Sequence, residues 1–79
     1  SYHIPAYPNP AGDVLNLHAP LEKHISRIRV VTVNGRTIID NPVHSGWVSL
    51  SVKDWPSGIY FIKMLFHDGQ IGLTKVVKL

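Results

Sequence analysis

The chain has 79 residues, of which 44% are hydrophobic, and it contains no cysteine. A chain this short has room for one small core, and without cysteine it can form no disulfide, thiolate nucleophile or cysteine-type zinc site. The net charge of +3 comes from basic residues spread along the whole sequence, so it points only weakly to an anionic partner.

Strand patterns dominate the sequence. Seven short strands are predicted, in chain order, over residues 4–7, 14–18, 27–33, 36–40, 47–52, 59–66 and 71–79. In the second strand Leu15 and Leu17 alternate with other residues and should face the core. Strands of this length and spacing predict an all-β, immunoglobulin-like antiparallel sandwich. The longest uncharged apolar stretch, residues 58–62, is far too short to span a membrane, so we expect no membrane insertion.

Turn residues separate these strands. Pro8 and Pro10 lack a backbone N–H and should halt the first strand, and Asn41-Pro42 should close the fourth. Gly58 is free to adopt a positive φ in the turn before the sixth strand. Asp68-Gly69 is typical of a hairpin.

The hairpin at Asn34-Gly35 has two candidate registers. A two-residue loop pairs Val30 with Ile39, whereas a three-residue loop with a bulged glycine pairs Val30 with Ile38. We favour the bulged form, because it puts Val30 and Ile38 on one face and leaves Arg29 and Ile39 on the other. On that choice Ile38 is the buried isoleucine.

Metal binding and catalysis have no supporting pattern. No pair at helical or same-strand spacing occurs among the five histidines, which are His3, His18, His24, His44 and His67. We therefore expect no metal and no other cofactor. The acidic residues sit beside turn signals, where Asp commonly bonds to the local backbone. Since no motif has mechanistic spacing and a small sandwich offers little concave volume, we predict no enzyme activity.

Aromatic and basic residues suggest two other binding functions. Trp47, Trp55 and Tyr60 could stack on a sugar, which would make the chain a carbohydrate-binding module. We favour instead Trp47 and Tyr60 in the core, with Trp55 exposed in its turn. The basic residues that could form a nucleic-acid stripe lack interleaved aromatics, so no nucleic acid is expected as a partner: Arg27, Arg29 and Arg36.

Four short motifs follow one another in a fixed order: Tyr7-Pro8-Asn9-Pro10, Asn34-Gly35-Arg36, Gly58-Ile59-Tyr60 and Lys75-Val76-Val77-Lys78-Leu79. Each one alone is common in β proteins. Together, in this order and spacing, they make the chain resemble the C-terminal sorting domain carried by cargo of the bacterial type IX (Por) secretion system of Bacteroidetes. The residues that carry the resemblance before the last strand are Tyr7, Pro8, Asn9, Pro10, Gly35, Arg36, Gly58 and Tyr60.

This resemblance implies a role in export. Residues 1–79 would form a single sorting domain at the C-terminus of a larger secreted precursor. The outer-membrane translocon would recognise it after the precursor reaches the periplasm. A sortase would then cut on its N-terminal side and attach the cargo to the cell surface, commonly through anionic lipopolysaccharide. In that scheme the domain is a label and a substrate, and it supplies no catalytic residue.

The last strand is the expected recognition element, at Lys75, Val76, Val77, Lys78 and Leu79. An edge strand presents unpaired backbone groups that a partner sheet can bind by augmentation. The two lysines are equally explained as ordinary gatekeepers against self-pairing. An exposed last strand would also allow copies to form an edge-paired or strand-exchanged dimer in a concentrated sample, and the sequence leaves the oligomeric state open. The alternative functions are an accessory sandwich that binds carbohydrate or a surface ligand, and a structural spacer.

Overall fold

Two β-sheets make up the part of the chain that the computed structural model describes, residues 2–20 and 23–79. The strands are β1 (Tyr2–His3), β2 (Ala6–Tyr7), β3 (Val14–His18), β4 (Ile25–Thr32), β5 (Thr37–Ser45), β6 (Trp47–Ser51), β7 (Gly58–Phe66) and β8 (Ile71–Lys78). The larger sheet has the order β1-β8-β7-β4-β5 and the smaller one β2-β3-β6. Neighbouring strands are antiparallel apart from β1 and β8, which run parallel. In the described residues, no helix is long and apolar enough to cross a membrane.

The core lies between the two sheets. Alternation is clearest in β7, where four alternate side chains are buried: Tyr60, Ile62, Met64 and Phe66. Leu15 and Leu17 of β3 are fully buried in the same cluster, as their alternation predicted. Each fully buried aliphatic or aromatic side chain contributes about 1.5–3 kcal/mol relative to an exposed one. The predicted all-β sandwich is therefore confirmed.

The strand bounds differ from the predicted ones by one or two residues at several strand ends, and by more in two places. Pro5 separates β1 from β2, and these two short strands join different sheets. β5 continues through Asn41-Pro42 to Ser45, so the predicted end of the fourth strand is wrong. β5 is the edge of the larger sheet, where alternate N–H groups face away from the partner strand and a proline is tolerated. The chain then passes through Gly46 into β6 of the smaller sheet.

The tip of the β4–β5 hairpin has the bulged loop that we favoured. Thr32 N–H donates to the carbonyl oxygen of Arg36 at 2.8 Å, and Gly35 N–H donates to the carbonyl oxygen of Thr32 at 2.9 Å. Gly35 has a φ of 86°, in the left-handed region where a residue with a Cβ is strained.

Below the loop, the same hairpin shifts its register by one residue. Val31 pairs with Thr37 but Val30 pairs with Ile39, so Ile38 is an extra residue on β5. The assignment of Ile38 to the core is therefore wrong: Ile38 is exposed, while Ile39 packs against the core. One inserted residue exchanges the two faces of a strand, and the loop sequence contains no sign of this second bulge.

Candidate recognition surface around the terminal strand

The N-terminal segment covers the side of β8 that faces away from β7. β1 pairs in parallel with the first half of β8, and Ile4 N–H donates to the carbonyl oxygen of Leu73 at 3.2 Å. Further along, Ala11 N–H donates to the carbonyl oxygen of Val77 at 2.7 Å, and Leu79 N–H donates to that of Ala11 at 3.1 Å. The expectation of an uncovered edge strand is therefore wrong, because an early segment of the chain returns alongside β8.

Asn9 fills the gap between these two backbone contacts. Its Nδ2 donates to the carbonyl oxygen of Lys75 at 3.2 Å, and its Oδ1 accepts from Val77 N–H at 3.0 Å. A side-chain amide offers both a donor and an acceptor, so Asn9 occupies the position that the backbone of an added strand would take. Pro8 and Pro10 on either side carry no N–H, and each follows a cis peptide bond. The first motif of the sequence is thus bonded directly to the last. We call this pair of hydrogen bonds the Asn9 clamp.

The remaining motifs reach β8 from its other side. Gly58 pairs with Lys78, and Tyr60 pairs with Val76, across β7 and β8. Thr32, which opens the β4–β5 loop, pairs with Tyr60 across β4 and β7. The four motifs that are scattered along the sequence therefore meet at one end of the larger sheet.

The motif residues around Gly58 and Arg36 have local structural roles. Gly58 has a φ of 149°, as its position in the turn predicted. The hydroxyl of Tyr60 donates to the carbonyl oxygen of Pro56 at 2.5 Å, which ties β7 to the turn before it in the manner of a tyrosine corner. The backbone N–H of Arg36 donates to Oγ1 of Thr32 at 3.2 Å, while its side chain is exposed at the hairpin tip.

The five residues expected to carry recognition have different surroundings. Val76 is fully buried, Val77 and Lys78 are half-buried, and Lys75 and Leu79 are exposed. Because side chains alternate along a strand, Lys75 and Lys78 point to opposite sides of the sheet. A partner could therefore contact Lys75 and Leu79 without opening the fold, whereas contact with Val76 would require β8 to leave the core.

The solvent-facing side of the larger sheet mixes apolar and cationic side chains. We call it the outer sheet face and define it by two rows that cross β4, β7 and β8: Val31, Phe61 and Lys75, and then Arg29, Lys63 and Leu73. Phe61 is 45% exposed and Leu73 is 48% exposed. Exposed apolar side chains in such a group are unusual on a solvated sheet and are typical of a contact surface.

Asp40 borders this face on β5. Its Oδ1 lies 2.5 Å from Nε of Arg27, and its Oδ2 lies 3.3 Å from Nη2 of Arg29. The hydrogen bond from Arg27 is the largest cause that lowers the pKa of Asp40 below its ordinary value of 3.8, against a smaller opposing effect of burial. The carboxylate therefore remains charged and partly neutralises the two arginines.

The aromatic side chains lie differently from our prediction. Trp47 is 52% exposed and stacks on His18, which stacks in turn on Tyr7, with ring centroids 5.9 and 5.6 Å apart. Trp55 is instead half-buried and packs against Tyr60 at 4.8 Å. The placement of Trp47 in the core and of Trp55 in solvent was therefore wrong. β6 points its two aliphatic residues inward, which leaves its tryptophan outside.

Three histidines come together at the opposite end of the larger sheet. The ring of His67 lies 6.4 Å from that of His24 and 6.2 Å from that of His44. Sequence spacing could not reveal the group, because the three residues lie on different strands or loops. Lys23 and Asp68 form an ion pair beside them, and the hydrogen bond from Lys23 is the largest cause that lowers the pKa of Asp68. In the described residues, no group of three or more His, Cys, Asp or Glu side chains is placed to hold a metal ion.

Solved structures with a similar backbone share this architecture. One is a DUF3244 family protein with an immunoglobulin-like β-sandwich fold from Bacteroides vulgatus, at a TM-score of 0.78 and 16% identity over 99% of this chain and 86% of that one. Another is PorZ, an essential bacterial surface component of the type-IX secretion system of Porphyromonas gingivalis, at a TM-score of 0.75 and 16% identity over 96% of this chain and 11% of that one. A third contains the CBM51-2 and INT domains of ZmpB from Clostridium perfringens, at a TM-score of 0.64 and 25% identity over 87% of this chain and 16% of that one. The chain thus spans only a small part of the last two. The likeness to the first establishes the immunoglobulin-like fold.

The sequence itself matches one protein family. No curated protein is similar to the chain. The family described as "Secretion system C-terminal sorting domain" matches residues 5–78, a range that includes the Asn9 clamp, the β4–β5 hairpin, the start of β7 and all of β8. The match covers nearly the whole chain, and the chain therefore belongs to the family of C-terminal sorting domains of the type IX secretion system.

Proposed function

We propose that this domain is an export signal that the type IX outer-membrane translocon reads in its folded form. Membership of the family implies interaction with the secretion system and export to the cell surface or secretion. The domain acts as a label, not as a catalyst. It is carried at the C-terminus of a larger precursor, passes through the periplasm, and is cut from its cargo by a sortase on its N-terminal side.

The observation that carries this proposal is the meeting of the family motifs around β8. The Asn9 clamp bonds one motif to one side of this strand, and Gly58 and Tyr60 pair with its other side. An isolated C-terminal tail would not need these contacts. Their combination supports recognition of the assembled sandwich, with Lys75 and Leu79 presented at its surface.

The experiment is surface display of a reporter fused before residue 1. The fusion is expressed in a type IX-competent bacterium and in an otherwise identical strain that lacks the translocon. Protease-accessible reporter is expected on the surface of the competent strain alone. Reporter that reaches the surface equally in both strains, or in neither while the fusion is folded, contradicts the proposal.

Deletion of residues 75–79 is a poor version of this experiment. It removes Val76 from the core and the pairing partners of residues 58–61, so the domain itself would be lost. Substitution of exposed side chains separates recognition from folding. Lys75→Glu keeps the strand and changes only a surface charge, and we expect it to reduce surface display while the melting temperature stays near that of the parent.

The stack of Tyr7, His18 and Trp47 favours carbohydrate binding as the second candidate function. Rings exposed on a sheet can hold a sugar by stacking, and the three rings here are consecutive neighbours across β2, β3 and β6. The residue to replace is Trp47 and not Trp55, which is half-buried against Tyr60 and is not part of the stack. Glycan binding that Trp47→Ala abolishes, with export unchanged, would support this second function.

A further inference from the structure

The outer sheet face has the composition of a docking surface. Phe61 lies opposite Lys75 and Lys63 lies opposite Leu73 across β7 and β8, so apolar and cationic side chains alternate in both directions. On the other flank Val31 lies opposite Phe61. Phe61 and Leu73 are both close to half exposed although they lie in the middle of a sheet. Apolar side chains grouped in this way mark contact sites, since a surface that is only solvated gains nothing from them.

The charges on this face are of one sign. Asp40 is the acidic group beside it, and its carboxylate is already bonded to Arg27 and Arg29. Among the described residues, Lys63 and Lys75 form no ion pair with an acid. Both lysines therefore add an unneutralised positive charge beside the exposed apolar groups.

The positive charges limit the kinds of partner that this apolar sheet face can bind. A second copy of the chain would bring Lys63 and Lys75 against the same lysines, and like charges face to face cost several kcal/mol. An anionic membrane surface would also attract the lysines, but on this face they alternate with the apolar side chains, which therefore cannot enter the acyl layer as a separate apolar surface. A protein with an apolar centre and carboxylates around it satisfies both the apolar and the cationic groups.

The size of the face also suits a protein partner. The larger sheet has five strands, of which β4, β5, β7 and β8 have eight or nine residues each. At ~4.8 Å between strands and ~3.3 Å per residue the sheet covers roughly 500 Å², which is of the order of the ~800 Å² that each partner contributes to a standard interface. A shallow concavity of about 400 Å³ lies among the side chains of this face, between Phe61, Lys63 and Leu73, and can receive an apolar side chain of the partner.

We propose that the outer sheet face, centred on Phe61, Lys63, Leu73 and Lys75, docks onto an acidic protein surface of the export machinery. This inference rests on the proposed function and names the chemistry of the partner: an apolar patch surrounded by Asp and Glu side chains. It places recognition on a face of the sheet and not on the edge of β8, which the Asn9 clamp and its neighbours already occupy.

The docking proposal is tested by the same charge reversal at two exposed lysines, one on the outer sheet face and one away from it. Lys63→Glu reverses a charge on the outer sheet face, and Lys53→Glu makes the same change in the exposed turn between β6 and β7. In the reporter fusion, Lys63→Glu is expected to lower type IX-dependent surface display by about tenfold or more, whereas Lys53→Glu displays like the parent. Melting temperatures of both purified domains should stay close to that of the parent.

A second pair of variants examines the apolar groups. Phe61→Ser and Val14→Ser each remove a side chain that is 45% exposed, the former on the outer sheet face and the latter on the smaller sheet. Phe61→Ser should reduce display strongly and Val14→Ser should not. The inference is overturned if display of the Phe61 and Lys63 variants equals that of the parent, even though the parent is exported in a translocon-dependent manner. Failure of the parent to be exported contradicts the proposed function instead.

Two measurements exclude the other occupants. Sedimentation of the purified domain at high concentration is expected to show no dimer that depends on the outer sheet face, so Lys63→Glu should leave the sedimentation unchanged. A dimer that Lys63→Glu weakens or strengthens would assign the face to a second copy and overturn the inference. Co-sedimentation with vesicles that contain anionic phospholipid is expected to be the same for the parent and Lys63→Glu. Vesicle binding that Lys63→Glu abolishes would likewise overturn it, in favour of a membrane.

Discussion

Asn9→Ala should loosen one position on the outer side of β8. The variant removes the donor to the carbonyl oxygen of Lys75 and the acceptor for Val77 N–H, at 3.2 and 3.0 Å respectively. It leaves the neighbouring backbone bonds between Ala11 and β8 in place. The perturbation is therefore confined to the two hydrogen bonds that the side chain supplies.

The magnitude follows from those two bonds. A hydrogen bond contributes a net ~0.5–1.5 kcal/mol to stability. Because Asn9 is exposed, water can replace part of what is lost, so we expect the free energy of unfolding to fall by about 1–2 kcal/mol in total. In a domain of this size each kcal/mol lowers the melting temperature by about 4–8 °C. The expected decrease is therefore roughly 5–15 °C.

Two measurements check this expectation, with Asn41→Ala as the control. Asn41 is exposed on β5, and its side chain makes no hydrogen bond in the described part of the chain. Calorimetry should show the decrease for Asn9→Ala and little change for the control. Amide hydrogen exchange should accelerate at Val77, whose N–H loses its acceptor, and much less at Leu79, whose N–H is bonded to Ala11. Unchanged exchange at Val77 together with an unchanged melting temperature would refute the clamp.

Three further perturbations have expected outcomes. Gly72→Ala would place a Cβ 2.5 Å from Cγ1 of Ile4. We therefore expect overpacking to lower the free energy of unfolding by about 1–3 kcal/mol. An unaltered denaturation midpoint would show instead that the side chain of Ile4 moves aside without cost. Tyr60→Phe removes the hydroxyl that bonds to the turn before β7 and should lower the free energy of unfolding by about 0.5–1.5 kcal/mol. Urea titration measures this loss, and a denaturation midpoint equal to that of the parent would contradict it. Hydrogen bonds from Arg27 and Lys23 lower the folded-state pKa of Asp40 and of Asp68, respectively, below 3.8. The stability that these two carboxylates contribute is therefore complete above that pH and is lost as the pH falls through the folded-state pKa values. Asp40→Asn should flatten this acid-side loss in melting experiments, and a profile with the same slope as that of the parent would refute the assignment.

The terminal strand has consequences for how sorting domains of this type are studied. Val76 is buried and β8 is bonded on both sides, so truncations within this strand test folding as much as recognition. Variants on the outer sheet face keep the core intact. The distinction can be made before any export assay, from the melting temperature of each purified domain.

Short-range sequence patterns predicted most of the strands and two of the turns. Alternation identified Leu15 and Leu17 as core residues, because successive side chains of a strand point to opposite sides. Gly35 and Gly58 were recognised as turn positions because only glycine adopts a positive φ without strain, and both do so. These features depend on a few consecutive residues and on no other part of the chain.

Features set between distant strands could not be predicted in the same way. Ile39 replaces Ile38 in the core because of a second bulge on β5, which reverses the faces of the strand beyond it. Trp47 lies outside because β6 packs its aliphatic residues against β3. In both cases the side chains were compatible with facing either the core or the solvent. Pairing with the neighbouring strand determined which of the two directions each side chain takes.

The sequence by itself determined the class of fold, the glycine turns at Gly35 and Gly58, and the family, since each depends on short local patterns that do not require the tertiary structure. Only the tertiary structure decided what covers β8. Asn9 and Val77 are 68 positions apart, and their hydrogen bond exists because the segment between β2 and β3 runs beside the last strand. An asparagine between two prolines looks like any turn residue until that neighbour is present. A hydrogen bond between distant residues depends on how the whole chain is arranged, and no local pattern encodes that arrangement.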